Sequence, residues 1–276
     1  TRWDSTWTTR GTPTPMPKMK HIVSLSGGTA SAVAADRVLE RYGHEATTLW
    51  FADTAWEDED LYRFLADLEA YWDVEILRHR DGRTPLEVAE GASIIPNQRR
   101  APCSLQLKIA PFRQFLAAHD RPVTVHLGFD WSEEHRMARP KAEYEAMGVG
   151  VDFPLTWKPI THRRYYDIVA YWGIKPPRLY DLGFPHNNCG GRCVKQGLKE
   201  WMRLRATMPE RFAEVRDWEQ AQRAKGGARA GYAIARDQSG GKVTPLPLAD
   251  LERREKTGQV EMFTYKSDEF GCFCEL

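Results

Sequence analysis

One pattern governs what this chain can fold into: a short β-prone run breaks into a polar turn and then a helix, and the unit recurs through the first half. Ile22-Val23-Ser24-Leu25 reads as a strand that stops at Ser26-Gly27-Gly28. Behind it Ala30, Val33, Ala34 and Val38 recur at helical spacing until Tyr42-Gly43. Thr47 to Phe51 begins a second unit, ended by Asp53-Thr54, and Leu61, Phe64, Leu65, Leu68 and Trp72 mark one face of its helix. Val74 to Leu77 predicts a third strand. Leu105, Ile109, Phe112 and Leu116 line a further helix, and Val123, Val125 and Leu127 alternate as a strand reaching Gly128. Strands separated by helices predict an α/β fold, a mostly parallel sheet with helices on both faces. In such sheets ligands sit beyond the carboxyl ends of the strands, where these polar turns fall.

Past Gly128 the pattern is irregular and aromatic, then helical over Val194 to Leu204 and Pro209 to about Ala224. Gly226-Gly227, Gly240-Gly241 and Pro245-Leu246-Pro247 make the rest loop-rich. The expected organisation is a flexible arm over residues 1–20, the sheet domain over 21–150, and a helical, loop-rich, cysteine-bearing region over 151–276 packed on it. No apolar run approaches the ~20 residues that span a bilayer, and the start lacks a signal peptide's apolar block. The expectation is a cytoplasmic protein with no membrane partner. The 39 Lys and Arg against 38 Asp and Glu leave a net charge of +1, so any nucleic-acid contact must be a local basic patch. Lys195, Lys199, Arg203 and Arg205 offer one, with a solvated helix face as the plain alternative. The five cysteines read as thiols, metal ligands or catalysts rather than a disulfide framework.

Ser26-Gly27-Gly28-Thr29-Ala30-Ser31 places backbone N–H groups and hydroxyls at a helix start, which suits a phosphate. An ordinary glycine-bearing turn is the alternative. The spacing excludes a Walker A loop and a dinucleotide fingerprint. The segment resembles the PP-loop, S-G-G-x-D-S, of the adenine nucleotide alpha-hydrolase superfamily. Four later segments narrow the resemblance to its phosphoadenosine phosphosulfate (PAPS) reductase-like branch, which includes the ATP pyrophosphatases of DNA phosphorothioation. Phe51 to Glu57 is similar to a D-T-G-x-E segment, and Cys103 to Phe112 to C-C-x-x-x-K-x-x-P-L. Gly128 with Glu133 and Arg136 resembles a G-x-x-x-x-E-(x)-R loop. Pro154-Leu155 and Trp157, then Leu179 to Phe184 leading into Asn188-Cys189, resemble the approach to a second cysteine pair. Ala30 and Ala55 depart from the motifs, as does the Phe273-Cys274-Glu275-Leu276 tail, which is not the reductases' E-C-G-[IL]-H ending.

The resemblance implies a HUP-type fold in which Ser24, Ser26, Gly27, Gly28, Thr29, Ser31 and Gly128 surround the phosphates and Asp53 lies toward the adenosine. Ser26, Ser31, Lys108 and Arg136 are its candidate catalytic residues, with ATP and Mg²⁺ as nucleotide and ion. Cys103, Cys189, Cys193, Cys272 and Cys274 become a candidate [4Fe–4S] set with one thiol over, while a structural Zn²⁺ held by the two close pairs remains open. The activity implied is ATP pyrophosphatase chemistry that activates a DNA or tRNA acceptor for sulfur from a donor such as a cysteine desulfurase. A sulfonucleotide reductase and a catalytically silent nucleotide-binding module are the alternatives.

Overall fold

The computed structural model describes residues 19–257 except 121, 161, 239 and 240. Most of the expected arm, and Cys272 and Cys274, lie outside the described residues. The sheet half runs β1 (Lys20–Leu25), α1 (Thr29–Tyr42), β2 (Thr47–Asp53), α2 (Glu59–Trp72), β3 (Ile76–Arg80), α3 (Pro85–Gly91), a π-helical turn (Ser104–Ile109), α4 (Ala110–Ala117), β4 (Val123–His126), α5 (Glu134–Glu145) and β5 (Gly150–Asp152). The remainder is α6 (His162–Tyr171), α7 (Arg178–Asp181), α8 (Leu198–Thr207), α9 (Pro209–Ala224), β6 (Ala235–Asp237), β7 (Thr244–Leu246) and α10 (Leu248–Lys256).

Among the described residues, five strands form one parallel sheet in the order β3-β2-β1-β4-β5, as the alternating pattern predicts. Successive strand residues point to opposite faces. Val23, Leu25, Leu49 and Phe51 therefore pack under α1 and α2, while Ile22, Trp50, Val123 and Val125 face Phe112, Leu116 and Tyr144. The first of these cores continues past residue 150, through Leu155, Tyr165, Val169 and Ile174. A third core joins Trp56, Leu86 and Leu107 to Trp201, Leu204, Phe212, Val215 and Leu251, fastening the C-terminal helices to the sheet half. Burying each such side chain contributes roughly 1.5–3 kcal/mol.

Three elements differ from expectation for identifiable reasons. β3 begins two residues late because Asp73 closes α2 in the left-handed conformation (φ 52°), with Val74 N–H returning to Glu69 O. The helix through Leu105 opens as a π-turn, and Pro111, which has no N–H, starts the α-helical ladder. α5 escapes periodicity because its three buried positions, spaced by four, are Arg136, Pro140 and Tyr144, a charged residue, a helix breaker and an aromatic with no aliphatic among them.

A polar cluster lies within the α1 side of the sheet. His21 Nδ1 and His126 Nε2 are 3.0 Å apart, His21 stacks on Tyr42 at 3.6 Å, and Asp152 Oδ2 is 4.0 Å from His126 Nδ1. Burial lowers the His126 pKa to about 4, partly opposed by the Asp152 carboxylate.

Candidate active site

The chain leaves β1 for β2 on one side and returns to β4 on the other, so the crevice between β1 and β4 is the sheet's switch point. The glycine turn lies there. Gly27 has φ +80°, and a Cβ on it would stand 2.4 Å from Leu61 Cδ1, so the position needs glycine twice over. Gly28 is extended (φ −96°) and caps α1; its missing Cβ makes room for the Tyr180 hydroxyl, 2.8 Å from where that carbon would be. Gly128, just beyond β4, lets that strand end approach α1, since its Cβ would be 3.3 Å from Ser31 Cα.

Hydroxyls tie the turn together without a charged side chain. Ser31 Oγ donates to Gly28 O at 2.9 Å and accepts from Ser26 N at 3.2 Å and Ser26 Oγ at 3.1 Å. The C-terminal half closes over the same turn: Thr29 N donates to Tyr180 Oη at 3.3 Å, and Asn187 Nδ2 donates to Gly27 O at 3.0 Å. Ser24, paired in register with Trp50, is half-buried one strand pleat below. Ala30, where the PP-loop motif carries Asp, packs against the apolar core under α1.

A second polar centre lies beside the end of β2. Cys103, Cys189 and Cys193, all buried, line one cavity with Thr54, Trp56, Ser104, Lys108 and Arg192. Glu57 is buried beneath it. One of its oxygens accepts from Thr54 Oγ1 at 2.8 Å and lies 4.0 Å from Lys108 Nζ; the other accepts from Cys189 N at 2.6 Å. Burial raises the Glu57 pKa, with the Lys108 ammonium and these hydrogen bonds opposing the shift. The cysteine turn is left-handed at Cys189 (φ 50°), Gly190 (φ 58°) and Gly191 (φ 79°). Two guanidiniums brace it: Arg192 donates to Trp56 O at 3.1 Å and lies over the Trp56 ring, and Arg211 donates to Gly190 O at 2.9 Å and Asp58 at 2.7 Å.

Thus Ser26, Gly27, Gly28, Thr29, Ser31 and Gly128 meet in the crevice, and Lys108 joins three of the five candidate thiols. Asp53 spends its carboxylate within the protein, on Ala55 N at 2.9 Å, Tyr62 OH at 2.9 Å and Arg80 at 2.6 Å. Arg136 pairs with Glu133 and lies 4.6 Å from the Phe129 ring centre. Among the described residues, no group of three or more His, Cys, Asp or Glu is gathered to hold a metal ion. Of the basic group Lys195, Lys199, Arg203 and Arg205, Arg203 lies 3.8 Å from Glu200 and Arg205 pairs with Glu255. Glu57, Tyr180 and Asn187 are the residues to which sequence reasoning gave no role. Glu57 and Tyr180 stand inside motif segments already noted, but their partners lie more than 130 positions away.

Residues 20–190 match the model of the phosphoadenosine phosphosulfate reductase domain. No curated protein matches the chain. Among solved structures, phosphoadenylyl-sulfate (PAPS) reductase from Candida auris, in its phosphate complex, is similar at 15% identity and a TM-score of 0.40, over 62% of this chain and 80% of that one. No helix among the described residues is long and apolar enough to cross a membrane. With its parallel sheet and glycine turn, the chain belongs to the PAPS reductase-like branch of the PP-loop, adenine nucleotide alpha-hydrolase superfamily.

Proposed function

We propose that the chain is a PP-loop ATP pyrophosphatase that activates a nucleic-acid acceptor as an adenylate for sulfur transfer. One observation carries this reading: the glycine turn and the thiol cavity are joined by a single segment, whose Tyr180 and Asn187 touch the turn and whose Cys189 and Cys193 line the cavity. A phosphate site beside sulfur ligands suits chemistry that exchanges one for the other.

An acceptor oxygen attacks the α-phosphorus of ATP, the bond to the β-phosphate oxygen breaks, and pyrophosphate and any proton on the acceptor leave. Amides and hydroxyls of Ser26 to Ser31, held in one turn by the fold, receive the leaving charge. Sulfide then displaces AMP from the acceptor, its bond to the acceptor forming as the bond to the AMP oxygen breaks; a persulfide from a donor such as a cysteine desulfurase does the same and leaves an S–S bond that a second thiol cleaves, ending as a disulfide with the donor. The turn itself carries no carboxylate, so Mg²⁺ fits here as an ion brought in on the nucleotide's own phosphate oxygens. Cys103, Cys189 and Cys193 line one cavity from two separate segments but are not gathered to hold a metal ion as they stand, so a thiolate-held group would need them to draw together, with Cys272 or Cys274 as a fourth ligand. A [4Fe–4S] cluster, if held there, would supply a redox-capable group, and structural Zn²⁺ would be the alternative occupant. Lys108 brings positive charge to that cavity while its partner Glu57 holds Cys189.

Sulfonucleotide reduction is the second reading, supported by the match to the reductase domain, while Ala30, which replaces the acidic residue of the whole superfamily's motif, bears on whether the site is catalytically silent. One assay separates the two. Anaerobically prepared protein is given ATP, Mg²⁺ and nucleic acid, and in parallel a sulfonucleotide with thioredoxin. Pyrophosphate and AMP from the first mixture are expected; sulfite from the second, with no pyrophosphate from the first, replaces the proposal with the reductase. Nucleotide binding with neither product leaves a silent nucleotide-binding module.

A further inference from the structure

We propose that Tyr180 is an affinity-setting residue of the phosphate site: its hydroxyl occupies the Thr29 amide in the free protein and must yield it when phosphate binds. The inference rests on the reading of the glycine turn as a phosphate site.

An anion at the start of α1 is bound by the N–H groups of the first helical turn, which have no partner within the helix. Thr29 N–H is one of these, and it already donates to Tyr180 Oη at 3.3 Å. A neutral hydroxyl therefore stands where a phosphate oxygen would accept. Its approach is built into the fold from both sides. Gly28 is the residue that permits it: the backbone there is extended, a shape any residue adopts, yet a Cβ would lie 2.8 Å from the hydroxyl. The glycine thus serves the tyrosine rather than the dihedral angle. On the other side, α7 is pinned by Arg178, whose guanidinium pairs with Asp58 at 2.8 Å and whose N–H donates to Asp60 at 2.8 Å. Tyr166 lies edge-on to the Tyr180 ring, its hydroxyl donating to Asp181 at 2.9 Å. The hydroxyl is held at the amide by this frame.

An acceptor that must be displaced weakens whatever replaces it. Removing only the hydroxyl leaves the amide to the incoming anion, and one hydrogen bond of ordinary strength corresponds to roughly a three- to tenfold change in affinity. The test is calorimetric titration of the full chain and its Tyr180→Phe variant with inorganic pyrophosphate, alongside the thermal shift each gains from it. The expected result is pyrophosphate binding about three- to tenfold tighter in Tyr180→Phe, with a larger thermal shift. Equal or weaker binding by the variant, while the parent chain binds, overturns the role of Tyr180 and leaves the phosphate site standing. Binding by neither overturns both. If Tyr180→Phe proves unstable, Tyr180→Leu supplies a second measurement: it too frees the Thr29 amide and should tighten binding, and an unchanged or lower affinity counts against the proposal.

Discussion

The molecule contains two glycine turns with chemistry around them, and they are held in opposite ways. Ser26-Gly27-Gly28 follows its own strand directly; its shape comes from one left-handed glycine and from the hydroxyls of Ser26 and Ser31. Cys189-Gly190-Gly191 follows no strand, bends left-handed through three successive residues, and is braced by Glu57 and Arg211 from two other parts of the chain and by the adjoining Arg192, which reaches back to Trp56 O. A turn meant for an anion gains from being uncharged and preorganised. A turn that presents thiols must be aimed, and buried charges aim it at the cost of their desolvation.

The contrast breaks most readily at Glu57. Replacing it by Ala removes the acceptor of Cys189 N–H and strips buried Lys108 of a carboxylate 4.0 Å away. A loss of about 3–5 kcal/mol is expected in denaturant unfolding, with the thiols becoming open to alkylation. Glu57→Gln, which keeps an acceptor oxygen, should keep Cys189 in place better than Ala does. At the other turn, Gly27→Ala forces an L-residue to φ +80° and a Cβ against buried Leu61. The expected cost is about 2–3 kcal/mol with loss of pyrophosphate binding, while thiol accessibility stays as in the parent chain. If each variant damages both turns equally, the two are one cooperative unit and the comparison fails.

Acid should act on the scaffold rather than on either turn's shape. His126 is fully buried with a folded pKa of about 4 against an ordinary value of 6.5, so the unfolded chain binds the proton first. Its contribution is present above pH 6.5 and is lost as pH falls toward 4. This amounts to about 2–3 kcal/mol over that window. Unfolding midpoints measured from pH 7 to 4 should fall less in His126→Gln than in the parent chain.

The same contrast explains what could be read from the sequence. The parallel sheet, its helices and the glycine turn are local: alternation puts Val23 and Leu25 on one face, and a run of two glycines after a strand announces the turn. The meeting of Cys103 with Cys189 and Cys193 was legible only through resemblance, because no spacing along the chain encodes a contact across 86 positions. Tyr180 and Asn187 were opaque for the same reason. Asp53 is instructive in the other direction. It stands at the end of β2, where a ligand contact was expected, but Arg80 and Tyr62, one on the neighbouring strand and one on the following helix, take up its oxygens.

The central claim is that the uncharged glycine turn holds the phosphates of an adenine nucleotide. It is tested most directly by titrating ATP with Mg²⁺ into the parent chain and into Ser26→Leu/Gly28→Val, with circular dichroism confirming that both are folded. Saturable binding by the parent chain that disappears in the variant is the predicted result. An unchanged ATP affinity in the folded variant would contradict it.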